Sequence, residues 1–244
     1  MNKVDELIRN ICPDGVKYSA LGELFYISRG RVMSKEYLRD YAGDHPVYSS
    51  QTANNGEIGK IRTFDYDGEY LTWTTDGANA GTIFYRKGKF SITNVCGLLK
   101  VKATDLVPRF VFYVLGTIMQ NYVSSGMGNP KLMSNVVEKI RIPVPPLPIQ
   151  KEIVSILDKF TQLEAELEAE LEAELDARKR QYKYYRNHLF SFKGKKVEWK
   201  SLGEVGKFMR GRRFVKNDII TEGIPCIHYG EMYTYYHIWA EKAK

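Results

Sequence analysis

Apolar residues recur every three or four positions over one long stretch: Ile149, Ile153, Ile156, Phe160, Leu163, Leu167, Leu171, Leu175, Tyr182, Tyr185 and Leu189. That spacing predicts a continuous helix from about Pro148 to Leu189, and nothing before Gly194 breaks it. At 1.5 Å per residue it would run roughly 60 Å. Outside the middle section the steps alternate four and three, as in a coiled-coil seam. From Leu163 a Leu-Glu-Ala-Glu unit repeats three times, followed by Leu175-Asp-Ala-Arg, so the steps become four, four, four. Such a stutter unwinds a left-handed supercoil and predicts a nearly straight section. Arg178 falls on the seam where an apolar residue is expected. A stripe of this length is too long to hide under one small domain, so these residues are assigned to helix pairing. The competing reading is a solvated charged spacer.

Elsewhere the pattern changes period. Val4 to Ile11 reads as a short helix closed by Pro13-Asp14-Gly15. From Val16 to Val101, short β-like runs such as Tyr70-Leu-Thr-Trp-Thr, Thr82-Ile-Phe-Tyr-Arg and Leu98-Leu-Lys-Val alternate with glycine-rich turns. Pro108 to Val123 carries a helical face behind an initial proline. A loop Ser124 to Lys131 follows, then a short helix or turn near Met133 to Val137. Ile140 to Pro148 is too rich in proline to be helical and predicts a stiff exit strand. The fold class is therefore mixed α/β (α+β). It comprises a β-rich domain over residues 1–147, a long coiled-coil-forming helix over 148–193 and an incomplete second domain over 194–244.

The third segment repeats the first. Val16-Lys-Tyr-Ser-Ala-Leu-Gly-Glu-Leu returns as Val197-Glu-Trp-Lys-Ser-Leu-Gly-Glu-Val, Arg29-Gly30-Arg31 returns as Arg210-Gly211-Arg212, and His45-Pro46-Val47 corresponds to Ile224-Pro225-Cys226 with a two-residue shift. An offset of about 180 residues is no solenoid period. It describes a module, a rod, and the start of the same module again.

Charge sharpens this plan. The segment Leu163–Asp176 holds seven acidic residues and no Lys or Arg, so a net charge of +7 leaves the remainder at +14. A basic body with an acidic rod suits a polyanion partner for the body and a protein partner for the rod. Three widely spaced cysteines, Cys12, Cys96 and Cys226, argue against a disulfide framework or zinc knuckle and fit a reducing cytoplasm. The charged first residues do not resemble a secretion signal, and no apolar run reaches membrane-spanning length.

Catalytic chemistry finds little support. The glycines at 77 and 81 are not followed by the Lys-Ser/Thr of a phosphate loop. Asn129-Pro130-Lys131 lacks the second proline and aromatic of an amino-methyltransferase motif. The four histidines have no metal-ligand spacing with the cysteines. Asp65, Asp67 and Glu69 read as a solvated turn around Gly68 rather than a metal site. Three polar loops instead suit base edges and phosphates: one with Ser49, Ser50, Gln51, Asn54 and Asn55, a second with Thr74, Thr75 and Asn79, a third with Asn129 and Lys131. Asn and Gln pair with adenine, Arg and Lys with guanine, Ser or Thr with either. Lys60, Arg62, Arg86, Lys87 and Lys89 are candidates for backbone phosphates, which position rather than specify. The same residue types also populate ordinary turns.

Two motifs carry a family resemblance. Val16 to Glu23, with its copy Val197 to Glu204, is similar to the motif that opens each target-recognition domain in specificity subunits of Type I restriction–modification systems. Ile142-Pro-Val-Pro-Pro-Leu-Pro-Ile-Gln150-Lys-Glu-Ile153 resembles their domain-to-helix junction. The tandem repeat in the helix is also similar to theirs. The resemblance covers the whole chain, truncated within its second target-recognition domain. It implies a non-catalytic DNA reader whose long helix docks two modification (methyltransferase) subunits, with the restriction (translocase-nuclease) subunit joining through them. S-adenosylmethionine, ATP and Mg would belong to those partners, with no cofactor in this chain. The full family plan has two reading heads and two helices, and we predict that two copies of this chain restore it as a homodimer, their helices antiparallel, with a single copy as the alternative. The competing readings are a coiled-coil interaction protein whose β-rich domain binds protein or carbohydrate, and an enzyme in its own right.

Overall fold

The computed structural model describes residues 3–102, 104–124, 128–211, 226, 227 and 230. Residues 125–127 of the third loop, Arg212 and the Ile224-Pro225 match lie outside the described residues. The chain divides into two compact units, Met1–Ala177 and Arg178–Lys244.

In the first unit, α1 (Lys3–Ile11) ends in the turn that the Pro-Asp-Gly run anticipates, with Gly15 N–H donating to Cys12 O at 2.9 Å. Strand β1 (Tyr18–Ala20) leads directly into the four-residue helix α2 (Leu21–Leu24) and strand β2 (Phe25–Arg29). The β-patterned stretch then contains a helix that the pattern does not show, α3 (Lys35–Asp40). Six residues are too few for a periodic signal, but Ser34 caps it by accepting from Tyr37 N–H at 3.0 Å. Strands β3 (Ala42–Tyr48), β4 (Glu57–Ile61), β5 (Tyr66–Thr74), β6 (Ile83–Ile92) and β7 (Cys96–Val101) follow. They form a six-stranded sheet in the order β2-β7-β5-β6-β3-β4, antiparallel throughout except for the β3–β6 pair.

The β5–β6 ribbon doubles back on itself. Its ladder runs from Trp73↔Ile83 to Tyr66↔Phe90, which straight strands would spread over roughly 24 Å. Yet Phe90 and Ile92 pack in one cluster with Cys96 and Leu98, and Cys96 pairs with Thr74 at the ribbon's other end. The reversal falls where Gly68 and Gly88 face each other in register, both with positive φ. The turn expected around Gly68 is therefore a bend inside a continuous ladder. Asp67 and Glu69 face Lys89 and Lys87 across it, and among the described residues no His, Cys, Asp or Glu cluster could hold a metal.

Alternation along the strands builds two cores. Leu71, Trp73, Ile83 and Leu99 face helix α4 (Pro108–Ile118), burying Phe110, Val111 and Leu115. Tyr70, Phe90, Ile92, Cys96 and Leu98 form the second cluster on the folded-back side, with Tyr48 and Tyr66 packed against it. The helix expected over 108–123 finishes as a 3₁₀ turn, Met119–Tyr122. Helix α5 (Ser134–Val137) and strand β8 (Arg141–Pro143) appear where the short helix and stiff exit strand are expected. β8 pairs with β1, so the module closes by joining its last strand to its first. Leu21 N–H and Gly22 N–H donate to Ile140 O and Glu138 O, and Leu21 is completely buried.

Helix α6 (Leu147–Leu189) is continuous over 43 residues. Gln150 fixes its base. Fully buried, this side chain donates to Pro145 O at 2.7 Å and Asp105 O at 3.0 Å, and accepts from Val107 N–H at 2.8 Å. Asp158, just before Phe160, accepts from Arg109 Nε at 2.8 Å and from Tyr113 OH. Burial by itself would raise the Asp158 pKa, but these two bonds outweigh it and hold the carboxylate below its ordinary value. The pairing seam needs a correction at this end. Ile149 is fully buried and Ile153 packs against the domain core, so both serve the module's own interior. Ile156 is half-buried. From Phe160 onward the stripe is exposed: Leu163, Leu167, Leu171, Leu175, Tyr182, Tyr185 and Leu189 are all more than half accessible.

Within the second unit, α7 (Leu202–Val205) repeats α2. Glu204 Oε2 accepts from Ser201 N–H at 3.1 Å, as Glu23 Oε2 accepts from Ala20 N–H at 3.2 Å. Among the described residues no helix is long and apolar enough to cross a membrane.

Candidate nucleic-acid interface

The three polar loops, separate in sequence, meet in space. The first closes the β3–β4 hairpin, the second joins β5 to β6, and the third leads from α4 toward α5. Ser50 Oγ donates to Asp76 Oδ1 and Asn79 Nδ2 to Thr52 Oγ1, each at 3.2 Å, tying the first loop to the second. Gly77 N–H donates to Pro130 O at 3.0 Å and Leu132 N–H to Thr75 O at 2.8 Å, tying the second to the third. Asp76 and Lys131 form an antiparallel bridge.

The members divide by exposure. Asn54, Asn55, Asn79, Asn129 and Lys131 are exposed, and Ser49, Ser50 and Gln51 are half-buried. Gln51 Nε2 donates to Glu57 O at 2.7 Å and Ser49 Oγ accepts from Thr93 Oγ1 at 2.9 Å, so both also brace their own loop. Thr74 and Thr75 correct the expectation of base contacts: both are fully buried. Thr74 Oγ1 binds Asn79 O and accepts from Thr82 N–H, while Thr75 Oγ1 donates to Val95 O at 2.9 Å. Their hydroxyls are struts that shape the second loop from inside.

The basic candidates separate further. Lys60 and Arg62 are exposed on or just beyond β4, an edge strand, with Arg62 Nε donating to Ala42 O. Lys87 stands at the ribbon bend beside Glu69 at 3.1 Å, five residues of strand from the second loop. Lys89 lies over the Phe64 ring. Neither is brought to the loop cluster. Arg86 is a correction. It is 3% exposed, beneath the loops rather than among them, so it is not a phosphate contact on this surface. Its guanidinium lies between the rings of Tyr48 and Phe84, and burial lowers its pKa from the ordinary arginine value. Burial likewise pushes the neighbouring Cys96 thiol up to about 12, leaving it protonated and unreactive.

One side chain beside the loops is not singled out by the sequence. Arg29, exposed at the end of β2, donates through Nη2 to Thr75 Oγ1 at 2.6 Å and so stands beside the second loop. The signal was available in the repeated Arg-Gly-Arg. A Cβ on Gly30 would sit 2.0 Å from Ile92 O, so a glycine is needed there to bring the two arginines against the sheet. Arg31 then pairs with Asp65 at 3.1 Å.

The surface thus offers exposed amides, half-buried serine hydroxyls and two cations, Arg29 and Lys131, a set that suits base edges and phosphates. Comparisons with known proteins agree. The family model for the Type I restriction modification DNA specificity domain matches residues 13–177. A type I specificity subunit N-terminus of Mycoplasma pneumoniae is 46% identical over 180 residues, covering 72% of this chain and 96% of that protein. The specificity subunit of the type I restriction enzyme MpnII, from the same organism, is 43% identical over 166 residues, covering 68% of this chain and half of that one. The crystal structure of a type I S subunit from M. genitalium superposes with a TM-score of 0.52 at 20% identity, over 67% of this chain and 44% of that chain. A family match spanning the loops, the junction and most of the rod decides against the protein- or carbohydrate-binding reading: the chain belongs to the Type I restriction modification DNA specificity domains.

Proposed function

We propose that the chain is the sequence-reading subunit of a Type I restriction–modification complex, directing methylation and cleavage by partner subunits. The observation that carries this reading is the convergence of three polar loops beside Arg29 and Lys131 on one end of the sheet. Asn54, Asn55, Asn79 and Asn129 would read bases, with Ser49, Ser50 and Gln51 at the rim. Lys60, Arg62, Arg29 and Lys131 would meet phosphates, and Thr74 and Thr75 would act through the loop they hold. The modification subunits would dock along α6 and supply S-adenosylmethionine binding and methyl transfer, and the restriction subunit would supply ATP- and Mg-dependent cleavage.

The working form pairs two chains. Eight apolar side chains from Phe160 to Leu189 stand exposed along α6, a stripe that gains stability only against another surface. Antiparallel pairing would set the acidic stretch Glu164 to Asp176 against Arg178, Lys179, Arg180 and Lys183 of the second copy. Exposed ion pairs contribute only ~0–1 kcal/mol each, so they would choose register while leucine burial supplies stability. A two-fold dimer presents one reading surface twice, so its target is an interrupted palindrome.

Methylome sequencing of cells expressing this chain with its modification subunits tests the reading. A methylated interrupted palindrome is expected, and a duplex carrying it should bind in a salt-dependent manner. Absence of any new methylated motif together with absence of duplex binding would refute it. Analytical ultracentrifugation of the complex should find two copies of this chain; one copy with an asymmetric motif would refute the dimer.

A further inference from the structure

The reading loop over residues 49–56 is held in an unusual shape. Asn54, Asn55 and Gly56 take consecutive left-handed conformations, with φ of 49°, 52° and 81°. Asparagine tolerates that region better than most residues, but two in succession still need support. Gln51 braces the loop from its own side. Support from below comes from β6. Arg86 Nη2 donates to Asn55 O at 2.8 Å, and Nε donates to Thr72 Oγ1 at 3.2 Å. The guanidinium carbon lies 3.5 Å from the Tyr48 ring centroid and 4.4 Å from that of Phe84.

A buried arginine is an expensive way to hold a loop. Nη1 makes no hydrogen bond among the described residues, and a buried cation costs stability unless its surroundings repay the lost water. A neutral side chain would suffice for packing alone. The cation adds reach and direction: anchored by Thr72 and stacked on Tyr48, its planar fork fixes the Asn55 carbonyl inward, and the two asparagine side chains are thereby displayed outward.

We propose that Arg86 is a positioning residue for sequence discrimination. Without touching DNA it locks the Asn54–Gly56 turn, and the base preference of the complex depends on that lock. The inference rests on the DNA-reading function proposed above. It separates two kinds of arginine in this domain. Surface cations set affinity and its salt dependence, whereas this buried one sets preference between sequences.

The test uses the full chain assembled with its modification subunits. Binding is measured at several salt concentrations to a duplex carrying the methylated motif and to one with the motif scrambled. Arg86→Lys and Arg86→Met should lower the ratio of the two affinities by about tenfold or more, the worth of one well-placed base contact. Scrambled-duplex affinity and salt slope should stay at wild-type values. Arg86→Lys, which keeps the charge and a donor nitrogen but loses the planar fork, should lose less than Arg86→Met. Gly56→Ala supplies an independent lesion. Its Cβ would meet Arg86 Nη2 at 3.0 Å and Gln51 O at 3.1 Å, so it should reproduce the same loss with the cation intact. A wild-type ratio in a folded Arg86 variant overturns the proposal. So does a salt slope reduced by about one, which would mean a direct phosphate contact. If the Arg86 variants do not fold, a wild-type ratio in Gly56→Ala overturns it instead. A wild-type complex that binds both duplexes equally would fail the reading function itself, an outcome distinct from all of these.

Discussion

The same opening motif occurs twice in this chain, and its two copies have the same local shape in different surroundings. Ala20 to Leu24 and Ser201 to Val205 each form a one-turn helix in which a glutamate three residues on accepts from the first N–H. Leu21 in the first copy is completely buried, while its counterpart Leu202 is 71% exposed. The turn is written in four or five consecutive residues. The burial is not: it requires Glu138, Ile140 and strand β8, more than a hundred residues further along the first module. Local sequence specifies the knob, and the far end of the module makes the socket.

Leu21→Ala should break this contrast most visibly. It should cost about 2–5 kcal/mol in denaturant unfolding, against a change within about 0.5 kcal/mol for Leu202→Ala. Equal losses would mean that Leu202 is covered by a socket of its own. Gln150→Ala should cost about 1–3 kcal/mol, since it strands Val107 N–H, Asp105 O and Pro145 O at the closure of the first module. The two glutamates sharpen the comparison from the other side. Glu23→Ala and Glu204→Ala should each loosen their own turn by about 0.5–1.5 kcal/mol, read by amide exchange at Ala20 and Ser201. A loss confined to one copy would deny that the turn is local.

The smallest effect is that of acid. The Asp158 carboxylate is held below its ordinary pKa where α4 meets α6. Its contribution is therefore complete above the unfolded value, about 3.9, and is lost as pH falls through the lower folded value. The stability gap between wild type and Asp158→Asn should be constant near neutral pH and close below about pH 4. Because both partners are partly exposed to solvent, the gap should be small and should shrink with added salt. A gap that widens in acid would reverse the assignment.

What the sequence revealed follows the same division between local and distant causes. The helix from Pro148, the proline-started α4, the short α5 and the exit strand all follow from spacing or backbone restriction within a few residues. The three loops were visible as polar runs, but not that they meet, because Ser50–Asp76 and Gly77–Pro130 are tertiary pairs. Charge and polarity put Arg86, Thr74 and Thr75 on the surface, because these are legible in a string of letters and burial is not. Ile149 and Ile153 lay on a perfect seam, yet the module's own core claims them, since periodicity names a face without saying what covers it. In the sequence Arg29 stands out only as part of a duplication, and its proximity to Thr75 is a product of the fold.

Gln150 and Asp158 weld α6 to its domain, so in the proposed dimer the helix length would set the gap between the two reading surfaces and the helix twist would set their relative rotation. One added Leu-Glu-Ala-Glu unit advances the helix by roughly 6 Å, and at 3.6 residues per turn it rotates the far end by about 40° beyond a full turn. Two base pairs cover nearly the same distance, but at 10–10.5 base pairs per turn they rotate by about 70°. Length therefore stays in step with the duplex while azimuth lags by about 30° per unit. A welded rod has no swivel at its base to absorb that lag. A chain lengthened by successive repeats should track wider gaps for a unit or two and then lose affinity through misorientation, well before it runs out of reach.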